Sequence, residues 1–372
     1  AVSALWKRRY TEWVRRALPW TLFAIAVLGL AIAMGGYWAY ETLSFGGYWA
    51  WDPVENASLV PWIVGVAALH AMLIQKKSGR GHKAALLLSV LAYMFVVYES
   101  FLTRSGILGD VSVHSFVNLG LYNQLLIWMA VIALVGFGLF AWRYRELPTP
   151  ERESFALSRE FLMFCGVVLL TATATVIIVG TSAPILGQIF RDQPSAVPAQ
   201  FYDRWTLPLA IGIAFLAGLG QLFRWKKMTV ERINRALRVP LALATTSTAL
   251  VLLAAPFVAR TIRPGAGSPS SPTADAGLLS GLGGTWSVYG QSLLLLLLTF
   301  MAFFALYANG AVLWRVVRGN PRMAGGALSH IGFAVLLLGV VGSAGLEDPL
   351  QVRGSEGEKR DYFVLMKGEP RT

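Results

Sequence analysis

The chain has 372 residues, of which 55% are hydrophobic and only 14% charged, and its net charge is +12. Its mean hydropathy is +0.56. Soluble domains carry about 25% charged residues, so the composition excludes an ordinary soluble enzyme and points into a membrane. Apolar runs fall near 18–40, 58–75, 84–101, 121–142, 160–180, 205–223, 239–259, 287–314 and 325–345. Most approach the roughly 20 residues that cross a bilayer, with 58–75 at the short end. The expected fold class is an all-α polytopic membrane protein of about nine transmembrane helices.

The basic residues give the orientation. Segments 1–17, 76–83, 143–159, 224–238 and 315–322 hold 22 of the 32 Lys and Arg, whereas the alternate loops 102–120, 181–204 and 260–286 hold five. By the positive-inside rule the first set faces the cytoplasm. Residues 46–57, the three sparse loops and the tail 347–372 then face outward. No basic face is interleaved with exposed aromatics, so the charge is a topology signal and not a nucleic-acid footprint. This divides the chain into a transmembrane helical domain, 1–346, and the start of an external domain, 347–372. The external stretch is charged, with short apolar alternation around Tyr362-Phe363-Val364-Leu365, and reads as β-rich. The Gly-, Ser- and Pro-rich segment 261–284 reads as a flexible external loop. The chain opens on Ala1 and not Met, and no signal peptide precedes the first span, which suggests a fragment or a chain lacking some segments. Cys165, the single cysteine, excludes an internal disulfide and reads as a small buried hydrophobe. No internal repeat is present.

The densest chemical signal is the external block Gly46-Gly47-Tyr48-Trp49-Ala50-Trp51-Asp52-Pro53-Val54-Glu55-Asn56-Ala57-Ser58, extending to Trp62. Interfacial anchoring uses scattered Trp and Tyr. A block this dense suggests a platform (46–62) for a large, flat, apolar ligand. Asp52 and Glu55 stay hydrated or accept hydrogen bonds there. Asp-Pro also makes a turn into the following helix, with Asn56 or Ser58 as caps, so a structural role for Asp52, Pro53 and Asn56 is at least as strong as ligand contact.

Four histidines follow. His70 and His330 sit inside apolar spans at matching depth near the inner face, where an ionisable residue is a functional hypothesis by default. They suit bis-imidazole ligation of one haem iron. Two unrelated histidines bonding helix carbonyls fit the pattern equally well. His114 lies in the external loop 102–120, on the platform's side. It suits axial ligation of a haem held there, with Arg104 pairing a propionate; a solvated His and a snorkelling Arg are the plain alternative. His82, in the cationic inner turn, reads as solvent-facing.

The stretch from Phe45 to Ser58 resembles the tryptophan-rich WWD signature of the haem-handling proteins of cytochrome c maturation, and its Trp51-Asp52-Pro53-Val54-Glu55-Asn56-Ala57-Ser58 run is similar to the CcmF, or haem lyase, branch. Phe101-Leu102-Thr103-Arg104-Ser105-Gly106 with Val113-His114-Ser115-Phe116, and Ser329-His330 in a Gly-Gly-led helix, resemble further segments of that family. The resemblance runs from about residue 5 to about 350.

It implies haem attachment to the CxxCH thiols of apocytochrome c, at an external site facing the periplasm from the bacterial inner membrane. His70 and His330 would ligate a permanent haem b, and His114 the transient substrate haem. Trp49, Trp51 and Asp52 would join His114 at the reacting site. Gly46, Gly47, Tyr48, Pro53, Glu55, Asn56, Trp62 and Arg104 would line the haem-binding surface. The implied partners are the haem chaperone CcmE, CcmH/CcmG-type thiol proteins, apocytochrome c and the lipid bilayer, with no nucleic acid. The family's other external histidine has no counterpart, since no histidine precedes His70. The rival readings are a haem transporter or chaperone of the same superfamily, and an electron-transfer cytochrome b.

Overall fold

A computed structural model describes residues 1–42, 47–108, 112, 120–149, 158–191, 197–225, 228–262, 278–343, 352–353 and 359–360. Among them are eleven helices: α1 (Val2–Trp6), α2 (Trp13–Thr42), α3 (Pro53–Ser78), α4 (His82–Arg104), α5 (Tyr122–Arg143), α6 (Arg159–Thr181), α7 (Ala183–Arg191), α8 (Ala199–Leu222), α9 (Val230–Ile262), α10 (Leu278–Gly319) and α11 (Gly325–Ser343). All except α1 and α7 contain a stretch long and apolar enough to cross a membrane, nine among the described residues. The two short helices carry no such run, and hydropathy alone does not reveal them.

Helix α3 is the centre of the bundle. Its most apolar window is 61% buried, against 6% for α2 and 11% for α5, so the latter two lie at the periphery of the described bundle. Lipid tails are as apolar as leucine, and helices in a bilayer associate through close packing of small residues and interhelical polar contacts. Ala57, Ala67, Ala68 and Ala71 give α3 that close-packing surface. It packs on α2, α4 and α6; α6 packs on α8, α8 on α10, and α10 on α9 and α11. At Gly218 of α8 an added Cβ would lie 2.8 Å from the Phe304 ring and 3.0 Å from Ala305 Cα, so α8 and α10 touch nearly backbone to backbone. Asn309, fully buried, donates from Nδ2 to Ala217 O at 3.1 Å and to Ala305 O at 2.8 Å, a polar tie between the same two helices.

Helix α3 starts five residues before the apolar run at 58. Asp52 accepts from Val54 N, while Glu55 reaches back to the Asp52 backbone N–H, a capping box with Pro53 at the first helical position. The cap is therefore Asp52, not Asn56 or Ser58. The helix ends on Gly79 (φ 72°), and Gly81 (φ 78°) precedes α4. Two left-handed glycines close the inner turn in three residues, which sets α3 and α4 antiparallel.

Three expectations change. His82 opens α4 with its ring turned inward, only 3% exposed, rather than facing solvent. Of the loop expected over 261–284, residues 263–277 lie outside the described residues; α9 runs to Ile262 and α10 starts at Leu278, so helix takes both of its ends. Cys165 is half-buried on α6 and not enclosed. In the tail, Val352–Arg353 pairs antiparallel with Lys359–Arg360. That ladder is too short to establish a β-rich domain, and the remainder of 347–372 lies outside the described residues.

Candidate functional site

Two sites emerge, one at each end of α3. At the outer end the aromatic block crosses from the end of α2 to the start of α8. Tyr48 stacks on Tyr40 of α2, with ring centres 4.4 Å apart and 8° between planes. Trp49 meets Trp51 edge to face at 6.2 Å. Trp51 is held by three further contacts. Its ring stacks on Tyr202 of α8 at 5.0 Å and 10°, and its indole N–H donates to Asp203 Oδ1 at 2.8 Å. Its carbonyl accepts from Asn56 Nδ2 at 3.0 Å, and its backbone sits at φ 57°. A left-handed tryptophan is strained and persists only where its surroundings over-determine it, a pattern that clusters at functional sites.

The acidic residues organise this block. Asp52 Oδ1 accepts from Val54 N at 2.8 Å and from Ser112 Oγ at 2.8 Å. Glu55 Oε2 accepts from Ala50 N at 2.9 Å and Asp52 N at 3.2 Å. Each carboxylate thus holds backbone, and Asp52 also ties the platform to the 102–120 loop through Ser112. Asn56 is fully buried beneath. Pro53 is buried at the start of α3, Gly47 is half-buried, and Tyr48 is exposed on the outer side. Arg104, exposed, ends α4 at the same end of the bundle. Trp62 is separate: it donates from Nε1 to Ile25 O at 3.1 Å and lies against Gly29, wedged between α3 and α2. Gly46 and His114 lie outside the described residues; Ser112, two residues before His114, is 8% exposed and fixed to Asp52.

At the inner end, α3 and α11 bring His70 and His330 together with ring centres 6.1 Å apart and planes at 79°. Each ring bonds a carbonyl of its own helix, as the plain alternative expects, and the two rings are also neighbours. His70 Nδ1 bonds Val66 O at 2.8 Å and His330 Nδ1 bonds Gly326 O at 2.6 Å, each to the carbonyl one turn back. A carbonyl only accepts, so each Nδ1 carries the proton and each Nε2 keeps its lone pair, the tautomer a metal requires. Two imidazoles on opposite sides of one metal, with metal–N bonds of about 2 Å, place their ring centres about 6 Å apart. Gly325 and Gly332, flanking His330, have no atom within 4 Å of an added Cβ, so the backbone there is open to a bulky group. The donor set and the spacing fit a bis-histidine metal centre. Among the described residues no three His, Cys, Asp or Glu side chains gather to hold a metal, so further ligands at this pair would come from the cofactor.

A polar shell backs His330. Gln221 Nε2, from the end of α8, lies 3.3 Å from His330 Nδ1. Arg159, the first residue of α6, donates from Nη2 to Gln221 Oε1 at 2.8 Å. The sequence counted Arg159 only as an inner charge and passed over Gln221, though a Gln closing an apolar span is itself a signal. Tyr202, Asp203 and Ser112 were also missed. They are far from the platform in sequence, and only helix packing brings them to it.

The family model described as "Cytochrome C assembly protein" matches residues 5–108, which include the platform and His70. The chain is 34% identical over 344 residues to the cytochrome c-type biogenesis protein CycK of Bradyrhizobium diazoefficiens, covering 92% of this chain and 49% of the relative. It is 30% identical over 380 residues to the cytochrome c-type biogenesis protein CcmF of Pseudomonas fluorescens, covering 99% of this chain and 52% of that one. A solved structure of a cytochrome c haem lyase CcmF superposes with a TM-score of 0.63 at 26% identity, over 95% of this chain and 50% of that chain. The chain thus spans about half the length of the relatives it matches.

Proposed function

The chain belongs to the cytochrome c assembly family, on its CcmF side, and from that premise we propose that it forms the haem-attaching part of a cytochrome c maturation system, multi-pass in the bacterial inner membrane with its reacting site toward the periplasm. The observation that carries this reading is the braced aromatic block. Trp49 and Trp51 present ring surface at the outer end of α3, and Ser112, two residues before His114 in the sequence, is bonded to Asp52 of the same block.

The haem to be attached is the substrate. Flat rings bury its apolar faces, at about 25 cal/mol per Å2 removed from water, and His114 takes an axial position on its iron. Arg104 answers a propionate. Asp52, Glu55, Pro53 and Asn56 hold the block in register, and Gly46, Gly47 and Tyr48 shape its entry. Each vinyl group then takes up one thiol of a CxxCH segment: a carbon–sulfur bond forms, and the thiol hydrogen goes to the neighbouring vinyl carbon. The thiols belong to apocytochrome c, in keeping with the lone Cys165 on α6, and the platform's contribution is orientation. Haem delivery and thiol reduction fall to partners, the chaperone CcmE and CcmH/CcmG-type proteins.

His70 and His330 hold a second, resident haem b. When bound, that group supplies one-electron chemistry to the iron of the substrate haem. The chain's own part is to present two Nε2 lone pairs at fixed spacing, with each Nδ1–H anchored to a helix carbonyl.

Holocytochrome c formation, measured in cells lacking the native protein and alongside a reduced-minus-oxidised spectrum, tests both sites. His114→Ala, or Trp49→Ala with Trp51→Ala, abolishes holocytochrome c and keeps the b-type spectrum. His70→Ala or His330→Ala removes the spectrum while the protein still inserts. Normal holocytochrome yield from the platform variants would refute the outer assignment. Haem captured by the platform without thioether formation would favour a carrier, and full haem retention in both single His variants would refute the pair.

A further inference from the structure

Arg159 stands where a charge is costly, at the membrane end of α6, and among the described residues it pairs with no carboxylate. The adjacent Glu160 is bound instead to Arg80 at 3.4 Å. The Arg159 guanidinium donates to Gln221 Oε1 at 2.8 Å and lies 5.7 Å from the centre of the Trp225 ring. Arginine has only donors, so it fixes which way the Gln221 amide points: oxygen toward Arg159, nitrogen toward His330. The amide nitrogen ends 3.3 Å from His330 Nδ1. That Nδ1 already donates to Gly326 O at 2.6 Å and cannot accept from Gln221 as well. Gln221 therefore gives the imidazole no hydrogen bond. It presents the positive end of an amide dipole whose far end is held by a full positive charge.

We propose that Arg159, acting through Gln221, is a built-in positive potential that biases a metal centre at His70 and His330 toward its reduced state. The inference rests on the reading of that pair as a haem site. Taking up an electron lowers the charge at the centre by one unit, and a neighbouring fixed cation favours the less positive form. At a separation on the order of 10 Å and an effective dielectric constant of about 20, the bias is about tenfold in the reduced-to-oxidised ratio. Tenfold corresponds to 59 mV for a one-electron couple. Arg159 and Gln221 are positioning residues here, because they act on the centre through the His330 ring.

The test is a potentiometric titration of the purified full chain in detergent, following the reduced-minus-oxidised absorbance. Arg159→Gln should keep its haem content and shift the reduced-to-oxidised ratio at fixed potential about tenfold toward oxidised. Arg159→Lys, which keeps the charge, should stay near wild type. Gln221→Met, which removes the dipole and leaves the cation, should shift the same way by a smaller factor. An unmoved midpoint in Arg159→Gln overturns the proposal. So does haem loss in Arg159→Gln with its helix content intact, because Arg159 would then hold the group and not tune it. A wild-type chain lacking a bis-histidine haem spectrum overturns the reading of the pair, and the inference with it; haem content therefore separates the two failures.

Discussion

Gly180 offers a way to disturb the outer platform without touching it. It lies near the outer end of α6, and a Cβ added there would sit 2.8 Å from Tyr202 Cε1 and 2.9 Å from Cζ and Oη. Tyr202 is 1% exposed and stacked face to face on Trp51, so its ring escapes the methyl only by sliding out of the stack. Forcing a methyl into a filled site costs about 1–3 kcal/mol, and losing the aromatic pair about 0.5–1.5 kcal/mol. Replacing a helical glycine by alanine returns about 1 kcal/mol. Gly180→Ala should therefore destabilise the protein by about 2 kcal/mol on these combined terms. Gly166→Ala is the control: it is in the same helix, with no atom within 4 Å of the added Cβ, and should be neutral or more stable by up to about 1 kcal/mol. Denaturant unfolding in detergent micelles gives the difference between the two variants. A 19F resonance from fluorotryptophan at Trp51, assigned by Trp51→Phe, reports on the platform itself. If both variants unfold at the same midpoint and the Trp51 signal stays put, the bracing of Trp51 through Tyr202 is wrong.

Three other outcomes follow from the same packing. Asp52→Ala removes the cap of α3 and the acceptor of Ser112; it should lose about 0.5–2 kcal/mol and speed hydrogen exchange at residues 54–56, whereas Asp52→Asn should retain most of both. Gly29→Ala places a methyl 2.7 Å from Trp62 Nε1 and should destabilise the α2–α3 contact by about 1–3 kcal/mol, while Gly35→Ala in the same helix, with no atom within 4 Å of the added Cβ, should be neutral or more stable by up to about 1 kcal/mol; equal unfolding midpoints for the two would contradict that ranking. In a Cys165→Ala background, single cysteines at 47–50 should react with an impermeant reagent from outside, and those at 76–83 or 224–238 should not. Outside labelling at either inner segment would overturn the orientation.

Much of this protein is written locally. Nine apolar runs and the alternation of basic segments depend only on transfer free energies of neighbouring residues, and they suffice for a polytopic helical protein with an assigned inside. The block from Gly46 to Trp62 announces itself by composition, and the depth of His70 and His330 follows from counting along each span. Even the start of α3 was within reach, because Asp52 and Glu55 carry the capping-box spacing beside a proline. The partners of these features were not legible. Trp51 meets Tyr202 and Asp203, His70 meets His330, and Arg159 reaches His330 through Gln221 only because α3, α6, α8 and α11 converge. Hydropathy carries no information about which helix neighbours which, since a lipid tail and a leucine side chain are equivalent surroundings for an apolar face. The sequence alone determines which segments cross the membrane and which chemical groups they carry. Tertiary packing decides which of those groups meet, because contact between helices turns on small residues and close backbone approach, as at Gly180 and Gly218, rather than on polarity.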